Sequence, residues 1–216
     1  TALLFFSLPS QAFIVLLLEC LNSYRNFGLR FVQYNYFVNE FGLSDAQTGS
    51  LLGLKSTLDV VFAICGSLAT DALGVRKTAI LALSMAFFGR FLLAFGRSRA
   101  HLYIACLFFS PFGEAFLSVG LYKVALKRLT TPRIRPLAFA IQYATFNFAG
   151  ALCDVFIDHL RRQPDMMLFG QVFTGMRIFV VTTWMAVVFA WLVAVFFLQD
   201  LTVSDLEDPE PTQMGV

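Results

Sequence analysis

Six long apolar stretches dominate this sequence and limit what it can fold into. They cover residues 11–38, 49–70, 78–95, 102–126, 137–160 and 173–198. A helix that crosses a bilayer core about 30 Å thick needs roughly 20 mostly apolar residues, and each stretch has about that length. Hydrophobic residues make up 58% of the chain and charged residues 14%, which is more apolar surface than one soluble core of this size buries. The sequence therefore predicts an all-α, multi-pass integral membrane protein with six transmembrane helices.

Composition also argues against several classes of function. The net charge is only +2 and no basic run alternates with aromatic residues, so we expect no nucleic-acid partner. The four cysteines are far apart and lack CxxC spacing, which predicts small buried apolar side chains and no disulfide framework or zinc site. The sequence has no phosphate-binding glycine loop, nucleophile elbow or metal-ligand spacing. We therefore expect no enzyme activity, no cofactor and no metal.

The predicted spans form one domain. Residues 11–199 would be the six-helix bundle, after an N-terminal segment at 1–10. Residues 200–216 are acidic and contain prolines, which is typical of a cytoplasmic tail or the start of an inter-bundle loop. Lys and Arg are more frequent after the second and fourth spans than in the opposite loops, so both termini are predicted to be cytoplasmic. Six such helices can form two three-helix repeats of inverted topology.

The loop after the second span reads GSLATDALGVRK. Gly66 would let two helices approach closely, Asp71 would end the span, and Gly74 would permit a tight turn. Arg76 and Lys77 would anchor the next helix at the cytoplasmic surface. These five residues resemble the G-x-L-x-D-x-x-G-R-K loop of the major facilitator superfamily, which also follows its second span.

Two positions differ from that motif, since Val75 is inserted and Ala72 stands where an arginine is common. The resemblance implies that the loop is a gating latch whose aspartate contacts a second six-helix half. The chain would then be the amino-terminal half bundle of such a transporter.

The first span contains an unusually polar stretch, ECLNSYRNFGLR, at residues 19–30. It resembles the E-x-x-E-R-F-x-Y-Y-G-M-R motif of the proton-coupled oligopeptide transporters. The residues that match in register are Glu19, Tyr24, Phe27, Gly28, Leu29 and Arg30. In the fifth span, AIQYATFNFAGAL is similar to the F-Y-x-x-I-N-x-G-S-L signature of that family through Tyr143 and Asn147. In the fourth span, VGLYK resembles G-x-x-K and retains Lys123.

The resemblance implies roles for these residues. Glu19 would handle protons, while Arg30 and Lys123 would bind the carboxylate of a peptide-like solute. The further residues expected to line the substrate path are Tyr24, Phe27, Asn147 and Glu114.

Two arguments from the residues themselves support a polar cavity. A charge at the bilayer centre normally faces a bundle interior or a wet cavity, and Glu19 and Arg30 lie eleven residues apart on nearly the same helix face. We therefore predict that they share one cavity. Glu114 follows Pro111 and Gly113 in the fourth span, where helix distortion could open such a space.

Three other features of the spans have simpler interpretations. Lys55 and Asp59 are four residues apart, so they can form an ion pair within one helix. Such a pair either lowers the cost of membrane insertion or has a role in binding substrate. Arg90 and Arg177 are expected to extend along apolar surface toward the membrane interface.

The leading functional hypothesis is secondary active transport of a small, peptide-like or carboxylate-bearing solute by proton-coupled symport. The alternative is a transport-inactive half that serves as a structural or assembly subunit of a larger membrane complex. The alternative is motivated by Asn22, Ser23 and Asn26, which replace the second glutamate, the arginine and one tyrosine of the first-helix motif. The expected partners are the lipid bilayer, a solute, protons, and a second six-helix half or other membrane subunits.

Overall fold

The computed structural model describes residues 8–118, 120–168 and 170–200. Six long helices follow one another there: α1 Ser10–Phe41, α2 Asp45–Leu73, α3 Val75–Phe95, α4 Arg99–Leu129, α5 Arg135–Leu160 and α6 Gly175–Phe196. The predicted all-α architecture is confirmed. The residues of the predicted tail beyond 200 lie outside the described part of the chain.

Five of the helices extend a few residues beyond the apolar stretches, and polar side chains cap the first residues of two of them, α2 and α4. The hydroxyl of Ser44 accepts a hydrogen bond from the Gln47 main-chain N–H at 3.3 Å, and the Gln47 side chain accepts one from the Ser44 N–H at 3.1 Å. This capping box starts α2 before its first apolar residue. Ser98 caps α4 in a similar way by accepting from the His101 N–H.

Helix α1 differs from the other five in polarity. Within the described residues, α2 to α6 are each long and apolar enough to cross a membrane, whereas α1 is not in that set although it has 32 residues. Three polar residues in the middle of α1, Asn22, Ser23 and Arg25, are buried. The mean hydropathy of α1 is low because this helix carries polar residues that line the interior of the bundle.

The packing of the helices repeats between the two halves of the chain. Helix α1 packs against α5 and α6, and α4 packs correspondingly against α2 and α3, while α3 and α6 pack against each other. If α1 is exchanged with α4, α2 with α5 and α3 with α6, the same pairs of helices remain in contact. That is the arrangement produced by two related three-helix units.

A short β-hairpin, which the sequence did not predict, connects α5 to α6. Strands β1 (Met166–Leu168) and β2 (Gln171–Phe173) pair in antiparallel fashion. The predicted sixth span began too early, at residue 173, because Phe173 belongs to β2. Thr174 then caps α6, as its hydroxyl accepts a hydrogen bond from the Arg177 N–H at 3.1 Å.

Helices α2 and α5 leave wide apolar faces uncovered. Val60, Ile64 and Leu68 on α2 are each at least 64% exposed, and Tyr143 on α5 is 71% exposed. Cys65 lies on the same face of α2 and is exposed, so the prediction that all four cysteines are buried is wrong for Cys65; Cys20 is half-buried, and Cys106 and Cys153 are buried. Apolar faces of this extent need lipid or protein against them.

Candidate functional site

A buried cluster of charges joins α2, α3 and α4. Nζ of Lys55 lies 2.9 Å from Oδ2 of Asp59 and 2.7 Å from Oε2 of Glu114. The other carboxylate oxygen of Glu114 accepts a hydrogen bond from Nη2 of Arg90 at 2.8 Å. The predicted pair within α2 is therefore present, and it belongs to a larger network. The expectation that Arg90 reaches the membrane interface is wrong, because this side chain is buried and bound to Glu114.

The local structure of α4 presents Glu114 to this cluster. The helix has a π-helical turn at Ala105–Phe109, which ends two residues before Pro111. At Gly113, an added Cβ would lie 2.7 Å from the main-chain nitrogen of Ala86 in α3. This close approach brings the backbones of α3 and α4 together and places Glu114 opposite α2 and α3. The predicted distortion is therefore real, and π turns of this kind are frequent at functional sites.

A cavity of about 260 Å³, called cavity A here, opens beside the cluster. It lies between α1, α2, α4 and α5. Its charged lining residues are Arg30, Lys55, Asp59 and Glu114. Phe27 also lines it and packs on Phe146 of α5, with ring centroids 4.7 Å apart.

Two further cavities surround Glu19. Cavity B has about 480 Å³ and is lined by Glu19 and Lys123, together with Gln142 and aromatic residues of α5. Cavity C has about 90 Å³ and also contains Glu19 and Lys123 in its lining. The side chains of Gln142 and Ser23 lie close to the Glu19 carboxylate. Two of the predicted site residues, one acidic and one basic, are thus brought together.

The prediction that Glu19 and Arg30 share one cavity is wrong. Glu19 lines cavities B and C, whereas Arg30 lines cavity A. The two residues do lie on nearly the same side of α1, but eleven residues of helix rise about 16 Å along the axis. Cavities A and C are nevertheless neighbours, since Asn26 and Phe146 line both.

Two predicted substrate residues lie elsewhere. The hydroxyl of Tyr24 is hydrogen-bonded to that of Thr182 in α6 at 2.8 Å, and its ring packs on Phe179. Asn147 is exposed, and its amide donates to the Tyr143 carbonyl one turn earlier at 2.7 Å. Neither residue lines cavities A, B or C. Tyr24 therefore belongs to the packing between α1 and α6.

A second buried ion pair joins the last turn of α1 to the first turn of α6. Nε of Arg177 lies 2.9 Å from Oε2 of Glu40, and Nη1 of Arg177 donates to the carbonyls of Ala94 and Gly96. The side chain is 1% exposed, so the expectation that it reaches the interface is wrong. It fastens α6 to the ends of α1 and α3.

The loop between α2 and α3 adopts the conformation that its motif predicts. Gly74 has φ of 85°, which favours glycine, and a Cβ at Gly66 would lie 2.9 Å from Cα of Phe116 in α4. Asp71 approaches Arg128 at 3.9 Å.

A carboxylate that follows α6 also holds this loop. The Arg76 N–H donates to Oδ1 of Asp200 at 2.8 Å, and the Arg76 guanidinium donates to the Val195 carbonyl. Lys77 is exposed. The role of the loop as a gate stays a prediction.

Arg25 in α1 is a buried residue that was not among the predicted site residues. Its side chain is 1% exposed, and Nη2 donates to Oδ1 of Asn22 at 2.7 Å and to Oδ1 of Asn26 at 3.2 Å. An arginine in the middle of an apolar span is itself the signal that could have identified it.

Comparison with known proteins agrees with this arrangement. A family model described as the Major Facilitator Superfamily matches residues 15–157. The fold is similar to a crystal structure of a mutant of the peptide transporter POT in complex with sulfate, with a TM-score of 0.73 and 15% sequence identity. The match covers 87% of this chain and 37% of that protein, and at this identity it concerns the fold. No curated protein matches the sequence.

Proposed function

The chain belongs to the Major Facilitator Superfamily, and on that premise we propose that it forms one six-helix half of a secondary transporter for a small solute. Transporters built from such halves bind solute near the bilayer midplane and expose it alternately to the two sides. The integral membrane character of the chain follows from the family and from five helices that are long and apolar enough to span a bilayer. Both termini would face the cytoplasm.

One observation carries this proposal: charged side chains line neighbouring cavities between helices that are otherwise apolar. Cavity A contains Arg30, Lys55, Asp59 and Glu114, and cavity B contains Glu19 with Lys123 nearby. Burying a charge inside a membrane protein costs several kcal/mol. Lys55 and Glu114 carry most of this cost, since their side chains are only 8% and 16% exposed, and a bundle without a polar ligand would be more stable with apolar residues at these two positions.

The charges also favour a carboxylate-bearing solute. Lys55 is already bound to two carboxylates, whereas none of the ion pairs among the described residues includes Arg30 or Lys123. Arg30 is therefore available to a carboxylate of the solute, and Lys123 is available when Glu19 is protonated. The peptide transporter of similar fold was crystallised with an anion, sulfate.

Glu19 is the proposed proton carrier. It lies between Gln142 and Lys123 at the edge of a cavity large enough to hold water. A carboxylate in this position can exchange a proton with solvent, while Lys123 compensates its charge in the deprotonated state.

Uptake by the complete native protein in liposomes tests the proposal. A proton gradient should drive accumulation of labelled dipeptides or short carboxylates, and Glu19→Gln should abolish the gradient-driven part. Asp154→Asn is the matched control, because this exposed carboxylate of α5 lines none of the three cavities. Unchanged gradient-driven uptake in Glu19→Gln would remove the proton role. A folded protein without uptake of any such solute would favour the structural or assembly subunit.

A further inference from the structure

One end of the bundle carries an excess of positive charge. It is the end at which α2, α4 and α6 finish and at which α3 and α5 begin. Among the described residues, this end has six cations and only two carboxylates, those of Asp71 and Asp200. We call it the basic end, and its cations are Arg76, Lys77, Lys127, Arg128, Arg133 and Arg135.

Three of these cations have partners within the bundle. The guanidinium groups of Arg76 and Arg135 donate to main-chain carbonyls at the ends of α6 and α4 respectively. Arg128 approaches Asp71 at 3.9 Å. The other three are exposed, and within the part of the chain that the structure describes no ion pair includes them: Lys77, Lys127 and Arg133. Their charge is therefore not balanced by the described residues.

The chain that leaves α6 turns onto the basic end and supplies a carboxylate to it. Gly74, the residue before α3, has no side chain that could cap this helix. The Asp200 carboxylate takes that place, since its Oδ1 accepts a hydrogen bond from the Arg76 N–H at 2.8 Å. A carboxylate is favourable there because the first N–H groups of a helix are unpaired and the helix dipole is positive at its start. A Cβ at Gly74 would lie 3.1 Å from the same Oδ1, so glycine also leaves room for this contact.

Two further contacts fix the path of the chain between α6 and Asp200. Gln11 of α1 donates to the Phe197 carbonyl at 3.1 Å and accepts from the Gln199 N–H at 3.2 Å. Gln199 also lines a narrow gap together with Arg128 at the end of α4. The chain therefore arrives at Asp200 between the start of α3 and the end of α4, where four of the six cations lie.

The sequence after Asp200 carries the charge that the basic end lacks. Residues 201–210, which lie outside the described part of the chain, read LTVSDLEDPE and contain four carboxylates and no cation. The six cations of the basic end exceed its two described carboxylates by four. These four carboxylates would therefore neutralise the excess. We call residues 200–210 the acidic stretch.

The acidic stretch is long enough to reach the cations. An extended chain spans about 3.5 Å per residue, so ten residues reach roughly 35 Å from Asp200. Lys127 adjoins Arg128, which already lies beside Gln199. Arg133 is five residues further along the chain than Arg128, which puts it at most roughly 18 Å away.

We propose that the acidic stretch docks on the basic end of the bundle, where Lys77, Lys127 and Arg133 bind its carboxylates. The contact of Asp200 with the start of α3 is the first of these contacts, and complementary charge supplies the others. Docking would hold the α2–α3 loop against the chain that leaves α6 through several residues. The proposal concerns the bundle alone and does not depend on transport of a solute.

Zero-length cross-linking of the complete native protein in a neutral detergent tests the docking. A carbodiimide activates a carboxyl group, and a lysine amine in contact with that group then displaces the urea and forms an amide. Mass spectrometry of the digested monomer should find cross-links from Lys77 or Lys127 to the carboxylates of residues 205–210. They should disappear in about 1 M salt, which screens exposed charges. Lys123, which lines cavity B, is the control and should form no such cross-link.

The reactivity of the two lysines gives a second measurement. An amine-reactive reagent should modify Lys77 and Lys127 faster when the four carboxylates of the acidic stretch beyond Asp200 are replaced by amides. Exposed ion pairs are individually weak, so the rates should rise about two- to fivefold. The matched control replaces Asp154 and Asp165, two exposed carboxylates at the opposite end of the bundle, and should leave both rates unchanged. The amide replacements in the acidic stretch are Asp205→Asn, Glu207→Gln, Asp208→Asn and Glu210→Gln.

Three results would overturn the proposal. The first is the absence of the cross-links at low salt, and the second is a set of lysine rates that the amide replacements leave unchanged. The third is protection of the lysines only in vesicles that contain phosphatidylserine, equally with and without the four carboxylates, which would assign the basic end to anionic lipid. Because no uptake is measured, each of these results leaves the proposed function standing.

Discussion

Replacing Glu114 by glutamine should destabilise the bundle more than any other single loss of charge in cavity A. Glu114 contacts two cations, Lys55 at 2.7 Å and Arg90 at 2.8 Å. In the variant, Lys55 keeps Asp59 at 2.9 Å. Arg90 loses the one carboxylate that contacts it among the described residues, while its side chain is only 2% exposed. In the variant, Arg90 is therefore a buried arginine without the counter-charge that it has in the native protein.

The size of the effect follows from that single unpaired charge. Removing one partner of a buried ion pair costs about 3–5 kcal/mol, and the lower end applies because glutamine still accepts a hydrogen bond. With a shift of about 2–4 °C per kcal/mol for a chain of this length, the melting temperature should fall by roughly 6–12 °C. Unfolding of the native protein in detergent, followed with a thiol-reactive dye, measures this fall.

Two further variants separate lost charge from lost packing. Asp59→Asn should cost less than about 1 kcal/mol, because Asp59 is 32% exposed and Lys55 keeps Glu114. Glu114→Gln combined with Arg90→Gln should be more stable than Glu114→Gln alone, since no unpaired arginine is left. A double variant whose losses simply add would refute the reasoning, as would a Glu114→Gln melting temperature within 1–2 °C of the native one.

Three other substitutions test the packing at separate places. Arg177→Gln should lower stability by about 3 kcal/mol, because it leaves Glu40 without its buried partner; the same melting assay checks this. Gly66→Leu should cost about 1–3 kcal/mol or more, because the new side chain would overpack α2 against α4. Gly53→Leu is the control, since its side chain would meet open space, and it should be neutral or stabilising. Equal effects of the two substitutions would contradict the close approach of α2 to α4 at Gly66. Tyr36→Phe should cost about 1 kcal/mol through loss of its 2.7 Å hydrogen bond to a main-chain carbonyl, measured as a fall of a few degrees.

The sequence was sufficient for the helices because their determinants are local. Runs of apolar residues fix the spans, and caps such as Ser44 and turns such as Gly74 fix their ends. The ion pairs were a different case. Glu40 and Arg177 are separated by 137 residues, and Glu114 and Arg90 by 24. Their pairing depends on which helices become neighbours, which no local pattern specifies, so both arginines were expected at the interface.

Helix periodicity predicted that Glu19 and Arg30 lie on the same side of α1, but it does not predict whether they line the same cavity. The periodicity gives the angle around the axis, and both residues do line cavities inside the bundle, but the rise of about 16 Å between them puts them at different depths. Asn26 and Phe146, which line both cavities A and C, lie between them. A proton on Glu19 and a carboxylate on Arg30 would therefore not meet directly. If transport couples them, Asn26 and Phe146 are the side chains placed to carry the coupling, and Asn26 also accepts a hydrogen bond from the buried guanidinium of Arg25.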